Sequence, residues 1–338
     1  MHAPRSTRRG IGAIVGMAVA AIAVGCTTDA DEPAVTARDA APSGARFEQV
    51  ASFAADEPAA LAVGPDGALY VGERRTGRVL RVAADDLTER RPRPIEVARF
   101  DVATDGQQGL LGLAVTVDGW LLAGLTAPAD AQGPARQEVV RRRLDDPAAL
   151  PQVVWRGPGT ADLAVGGRIV LAPDGRVVTA LGDYGDGRQD PPFGSVLSLD
   201  PAGPPDQVPQ VLSTGWNNPF ALAYAPDGAL WVADNAPGST PERLGRGDAP
   251  GPRYDLEGSR APSGLAATGD DTFLLCGYLS KELTRLRVPV DGAAGDGVVA
   301  QPGSAGDCRL DVVVLGTVPG ARDLVASAEQ DGVSILRP

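Results

Sequence analysis

Short apolar runs broken by tight-turn residues recur along most of this chain. The clearest is Leu61-Ala62-Val63-Gly64-Pro65-Asp66-Gly67-Ala68-Leu69-Tyr70-Val71. An apolar strand runs into Pro-Asp-Gly and a second apolar strand runs out. The pattern returns at residues 113–122, 169–178 and 222–232, with looser copies at 265–275 and 312–327. In such a turn Pro presets φ, Asp caps the loop and Gly supplies a positive φ. The flanking strands are rich in Val, Leu and Ala, as suits strands covered on both faces. Several copies continue into a third strand, as in Arg78-Val79-Leu80-Arg81-Val82 and Arg285-Leu286-Arg287-Val288.

The turns centre near residues 66, 118, 174, 227, 270 and 320. That spacing of roughly 45 to 55 residues is the size of a four-stranded propeller blade. The pattern predicts an all-β, six-bladed β-propeller of four-stranded blades over residues 46–338. An unrelated pair of β-sandwiches would use similar strands but would not require six even copies. Ring closure is expected to join residues 47–53 to residues 333–336, which removes the free edges.

The first 45 residues break this pattern. Arg5, Arg8 and Arg9 precede an apolar run from Ile11 to Val24, and no acid occurs before Asp29. The run is shorter than the roughly 20 residues a membrane-spanning helix needs. It reads as a signal peptide over residues 1–25. The run ends in Ala23-Val24-Gly25-Cys26, which resembles a bacterial lipobox and predicts lipidation of Cys26; an ordinary secretory cleavage near Cys26 is the alternative. Arg8-Arg9 fits twin-arginine export no better than general secretion. Residues 26–45, rich in Ala, Asp, Thr and Pro, read as a flexible tether to a membrane.

Composition narrows the partners and the chemistry. The chain carries a net charge of −12, and losing residues 1–25 removes three arginines and no acid, leaving −15. Such a surface argues against nucleic acid. Its single histidine, His2, lies in the signal segment, so no nucleophilic triad can form in the exported chain. Cys276 and Cys308 are the cysteines besides Cys26. Two cysteines in an exported domain point to a disulfide, with two buried thiols as the alternative.

Four segments resemble the glucose/sorbosone dehydrogenase family, the soluble PQQ-dependent sugar dehydrogenases. Gly106-Gln107-Gln108-Gly109-Leu110-Leu111-Gly112-Leu113-Ala114 is similar to that family's G-Q-x-G-L-L-G-x-A. Gly166-Gly167-Arg168, running on to Gly182-Asp183, is similar to H-x-G-G-R-L…P-D-G…G-D. Trp216-Asn217-Asn218-Pro219-Phe220 is similar to H-R-N-P-Q, and Asp234-Asn235-Ala236-Pro237 to E-H-G-P. The resemblance implies a propeller that oxidises a sugar hydroxyl. A histidine takes the proton, PQQ takes the hydride, cations hold the PQQ carboxylates, and calcium bridges cofactor and protein.

The matched positions depart from that chemistry. Ala164 stands where the family has its base, Asn217 replaces an arginine, and Phe220 replaces a glutamine. In Cys308-Arg309-Leu310-Asp311-Val312, Arg309 falls between the positions of two cofactor arginines, so its side chain is expected to face the other way. Gln107, Asp183 and Asn218 match the family's polar residues, and Lys281 lies near its cofactor lysine. These, with Asn217 and Arg309, are the candidate ligand-binding residues, and Asp183, where the family has an aspartate beside its base, is also the candidate catalytic residue. Each also has a plain structural role open to it: a turn cap for Asp183, backbone partners for Gln107 and Asn218, a solvated side chain for Lys281. Trp216 and Tyr184 are placed to stack on a sugar ring or to pack blade ends. Asp183, Asp186 and Asp190 in a Gly-rich loop are a candidate calcium site or a polar surface loop. Three functions follow: a propeller that binds a sugar-like ligand or partner at a degenerate PQQ site, an active aldose oxidoreductase with a divergent site, or an interaction propeller with no small-molecule site.

Overall fold

The structure is a computed structural model that describes residues 35–36, 38–39, 46–131, 133–146, 148–236, 240–249, 253–288, 299–316 and 324–338, all within the unit Ala34–Pro338. Six sheets, each built on four antiparallel strands, make a six-bladed β-propeller. The innermost strands are Pro58–Val63, Leu110–Val115, Ile169–Leu171, Ala221–Tyr224, Pro262–Ala267 and Asp311–Val314. Each opens one of the predicted repeats. Each blade then steps outward through its second, third and fourth strands.

The repeated turn forms as its residues require. At the first copy Gly64 N–H donates to Ala68 O at 2.9 Å, and Gly67 adopts φ +74°. Asp66 Oδ1 accepts from Ala68 N–H, and Asp174 and Asp227 do the same for Arg176 and Ala229 at 3.0 and 2.8 Å. These turns define a lower face; the inner strands begin on the upper face. The turn expected near residue 320 and the signal peptide and lipidation expected within residues 1–34, Cys26 included, lie outside the described residues.

The core is divided among the blade-to-blade interfaces. Leu69, Val71 and Leu80 of blade 1 pack on Ala326 and Ile335 of blade 6. Val178 and Val196 of blade 3 pack on Trp216, Leu230 and Val232 of blade 4. The other four interfaces follow suit. Blade 6 is closed by the first long strand: Glu48–Ala54 pairs antiparallel with Gly332–Arg337, Phe53 opposite Val333. The two ends of the propeller thus share one sheet, as the pattern predicts. Within the segment read as a free tether, Val35–Thr36 and Arg38–Asp39 instead pair parallel with the outer strands of blades 4 and 5. Unpaired edge N–H and C=O groups of those strands offer partners to any extended chain beside them.

Cys276 and Cys308 form a disulfide with a Cα–Cα distance of 5.2 Å. It ties the second strand of blade 5 to the segment entering blade 6.

Candidate functional site: a blind pocket on the upper face

The channel along the propeller axis is blocked halfway by Arg168. Gly166 and Gly167 adopt φ +67° and +90° just before the third inner strand. A side chain on Gly167 would meet Leu111 at 2.7 Å. This tight double-glycine entry lets the next residue leave the sheet for the axis. The Arg168 guanidinium donates to Ala59 O of blade 1 (2.8 Å), Phe220 O of blade 4 (3.1 Å) and Ser263 O of blade 5. It also pairs with Asp311 of blade 6 at 2.6 Å. Asp311 in turn accepts from Leu61 N–H at 2.7 Å and Val312 N–H at 2.9 Å. Both side chains are buried. Burial pushes the Asp311 carboxyl up to about 6 against the pull of Arg168, and lowers the Arg168 guanidinium against the pull of Asp311.

Above this pair is a cavity of about 190 Å³. Its lining includes Ala59, Phe220, Ser263 and Leu310, residues whose carbonyls Arg168 faces. Below it a funnel of about 320 Å³ has walls of inner-strand Leu, Ile and Val. The ion pair is therefore the floor of the upper pocket.

One wall gathers the polar residues expected from the sequence. Gln107 Oε1 accepts from Ala164 N–H at 2.8 Å and from Asn218 Nδ2 at 3.5 Å. Asn218 Oδ1 accepts from Gly166 N–H at 3.1 Å. Asn217 Nδ2 donates to Asp183 Oδ2 at 2.7 Å, and Asp183 Oδ1 caps Gly185 N–H at 2.9 Å. The fully buried Asp234 accepts from the N–H groups of Asn217 and Asn218 and pairs with Arg243. This net binds blades 2, 3 and 4 together. Gln107 and Asn218 line the pocket, whereas Asp183 and Asn217 stand behind it. Gly182 is needed here because a Cβ would lie 1.8 Å from Ala164 O.

Three expectations are corrected. Trp216 is fully buried between blades 3 and 4, with Nε1 donating to Ser213 Oγ at 3.0 Å, so no ligand can stack on it. Tyr184 is also buried, edge-on to Phe193 at 5.1 Å, and burial pushes its hydroxyl up to about 12. Asp183, Asp186 and Asp190 do not converge. Asp186 pairs with Arg188 at the surface, Asp190 is exposed, and among the described residues no group of three or more His, Cys, Asp and Glu side chains is placed to hold a metal.

The opposite wall escaped the sequence reading. Glu57 adopts φ +44° before Pro58, an unfavourable conformation for that position. Its carboxylate takes an ion pair from Arg74 at 2.7 Å, another from Arg75 at 3.0 Å, and a hydrogen bond from Gln330 Nε2 at 2.7 Å. Burial raises the Glu57 carboxyl, but Arg74 and Arg75 outweigh it and hold it below its ordinary value. Arg74 also donates to Gly106 O and Gln108 O. The sequence signals were weak: an Arg-Arg pair after a second strand and a Glu-Pro before an inner one. Tyr278 and Asn235 also belong to the lining. Lys281 is exposed and outside it. Arg309 also lies outside the lining, its guanidinium 4.6 Å from the Tyr278 ring centroid, while Leu310 faces the pocket, as the strand alternation predicts.

Comparison with known proteins places this geometry. The family described as Glucose / Sorbosone dehydrogenase matches residues 55–242, more than half of the chain. The chain belongs to the glucose/sorbosone dehydrogenase family. Quinoprotein glucose dehydrogenase B of Acinetobacter calcoaceticus is 26% identical over 230 residues, 55% of this chain and 48% of that protein. The chain thus spans about half the length of this curated relative. Among solved structures, a proposed oxidoreductase (glucose dehydrogenase) from Thermus thermophilus is 26% identical with a TM-score of 0.68, covering 87% of this chain and 100% of that one. The PQQ-bound aldose sugar dehydrogenase of Streptomyces coelicolor has a TM-score of 0.66 at 22% identity, covering 86% and 96%, and shares the fold.

Proposed function

We propose that this chain is a member of the family that binds a sugar-like ligand in the upper pocket and does not run PQQ-dependent oxidation. The observation that carries the reading is charge compensation. Arg74 and Arg168, the cations at the wall and floor of the pocket, are already matched by Glu57 and Asp311. PQQ brings three carboxylates, and a buried carboxylate without its own cation is costly. Releasing Arg168 for one would strand Asp311. The acids fit calcium no better, because Asp183 and Asp234 already accept protein N–H donors. Ala164 offers no base. The residues present therefore do not fit PQQ with calcium.

What the pocket does offer is four amide side chains, Gln107, Asn218, Asn235 and Gln330, beside Tyr278 and Phe220. Amides placed around an aromatic face suit a polyhydroxylated ring. The lipid tether at Cys26 and export belong to the same proposal, and the Cys276–Cys308 disulfide supports an oxidising compartment.

The test is to incubate the purified chain with PQQ and Ca²⁺ and follow dye reduction with a panel of aldoses, while calorimetry measures sugar binding without cofactor. Sugar binding with no turnover is expected. Dye reduction above a protein-free blank would overturn the reading.

A further inference from the structure

The cations around the upper pocket divide into two kinds. Arg74, Arg168 and Arg243 each face a carboxylate, of Glu57, Asp311 and Asp234. Arg309 does not. It sits between Cys308, held by the disulfide, and Leu310, which lines the pocket. Its guanidinium lies on the ring of Tyr278, a lining residue that is 42% exposed. Its Nε–H is shielded from solvent and has no hydrogen-bond partner among the described residues. The nearby acids Glu282 and Asp307, opposite each other in blade 5, are exposed and form no ion pair with it.

A guanidinium lying on a ring keeps its N–H edge free, and that edge matches a carboxylate in bidentate fashion. On a chain of this negative charge an acidic ligand is repelled at long range, so holding one needs a dedicated cation. We propose that the ligand of the upper pocket is a sugar acid, an aldonate or uronate. Its hydroxyls meet the amide wall of Gln107 and Asn218, and its carboxylate meets Arg309 at the rim beside Tyr278. This assignment rests on the ligand-binding reading above and names the class of ligand.

Calorimetry with D-glucuronate, D-gluconate and D-glucose tests it, on the full chain and on the Arg309→Gln and Arg309→Lys variants. Circular dichroism checks the fold of each. At least one acid is expected to bind about tenfold or more tightly than glucose at low salt. Arg309→Gln should remove that preference, and Arg309→Lys should restore part of it. Equal affinity for acids and glucose in the unaltered chain overturns the sugar-acid assignment and leaves the sugar-binding reading standing. A preference that survives Arg309→Gln also overturns it. Binding of none of the three sugars overturns both.

Discussion

Replacing Arg168 by methionine removes a side chain that touches four other blades at the propeller axis. Breaking a buried ion pair costs about 3–5 kcal/mol, because the partner charge is left without compensation. Here that partner is Asp311. The carbonyls of Ala59, Phe220 and Ser263 lose a donor as well. They border the upper pocket, where water can replace it, so they add about 1 kcal/mol rather than their full dry cost. The expected loss is about 5 kcal/mol, or on the order of 10 °C in Tm for a domain of this size. The loss depends on pH. In the unaltered chain burial already raises the Asp311 carboxyl from 3.8 to about 6. The native state then holds a proton that the unfolded chain releases, so this group's contribution to stability falls as pH rises from about 4 to 6, by about 3 kcal/mol at most. Without Arg168 the carboxyl rises further, so the deficit of the variant should be full at pH 8 and shrink at pH 5. Urea unfolding at pH 5 and 8 measures both. The double variant Arg168→Met/Asp311→Leu removes both charges and should recover more than half of the loss. A deficit below 1 kcal/mol at pH 8, or one that does not change with pH, would refute the description of this pair as the buried hub of the ring.

Removing the disulfide with Cys276→Ala/Cys308→Ala should cost about 3–4 kcal/mol for a crosslink spanning 32 residues, read as a lower urea midpoint. Mass spectrometry of the unreduced chain should find no free thiol at either position. Gln107→Ala leaves the Ala164 N–H without its acceptor and should cost about 1–2 kcal/mol. The same change should weaken sugar binding, because Gln107 is part of the pocket wall. Ala164→His, at a backbone φ of +49° that histidine tolerates better than most residues, should not produce PQQ-dependent dye reduction. A base alone does not replace the missing cofactor cations, so measurable turnover in that variant would count against the charge argument.

The ring itself was legible because its signals are local. Pro-Asp-Gly between two apolar runs makes the same turn wherever it occurs, as the identical Asp caps of residues 66, 174 and 227 illustrate. The closing pair of residues 47–53 with 333–336 followed from the need to leave no open edge. Gln107 and Asn218 were found because each sits in a recognisable segment at the upper end of an inner strand. For Trp216 and Tyr184 the choice between stacking on a sugar and packing blade ends stayed open for the converse reason, and the structure decides it for packing: adjacency to such a segment says nothing about which side of a blade the ring takes. Arg168 and Asp311 both stood inside matched segments, yet nothing local links residues 143 positions apart. The contact of Glu57 with Gln330 spans 273 positions and exists because closure sets blade 6 beside blade 1.

The upper pocket thus has two origins. The order of residues along the chain determined a six-bladed ring, pointed to a tie between Cys276 and Cys308, and left no histidine after His2. Turns and strand alternation are short-range and carry that much. Which cations are already compensated was decided only by the folded ring. Strand pairing inside blade 1 brings Glu57 to Arg74, and ring closure brings Asp311 to Arg168. Arg309 is distinguished by facing no carboxylate among the described residues. Charge compensation is a property of distance in space, and no spacing along the chain encodes it.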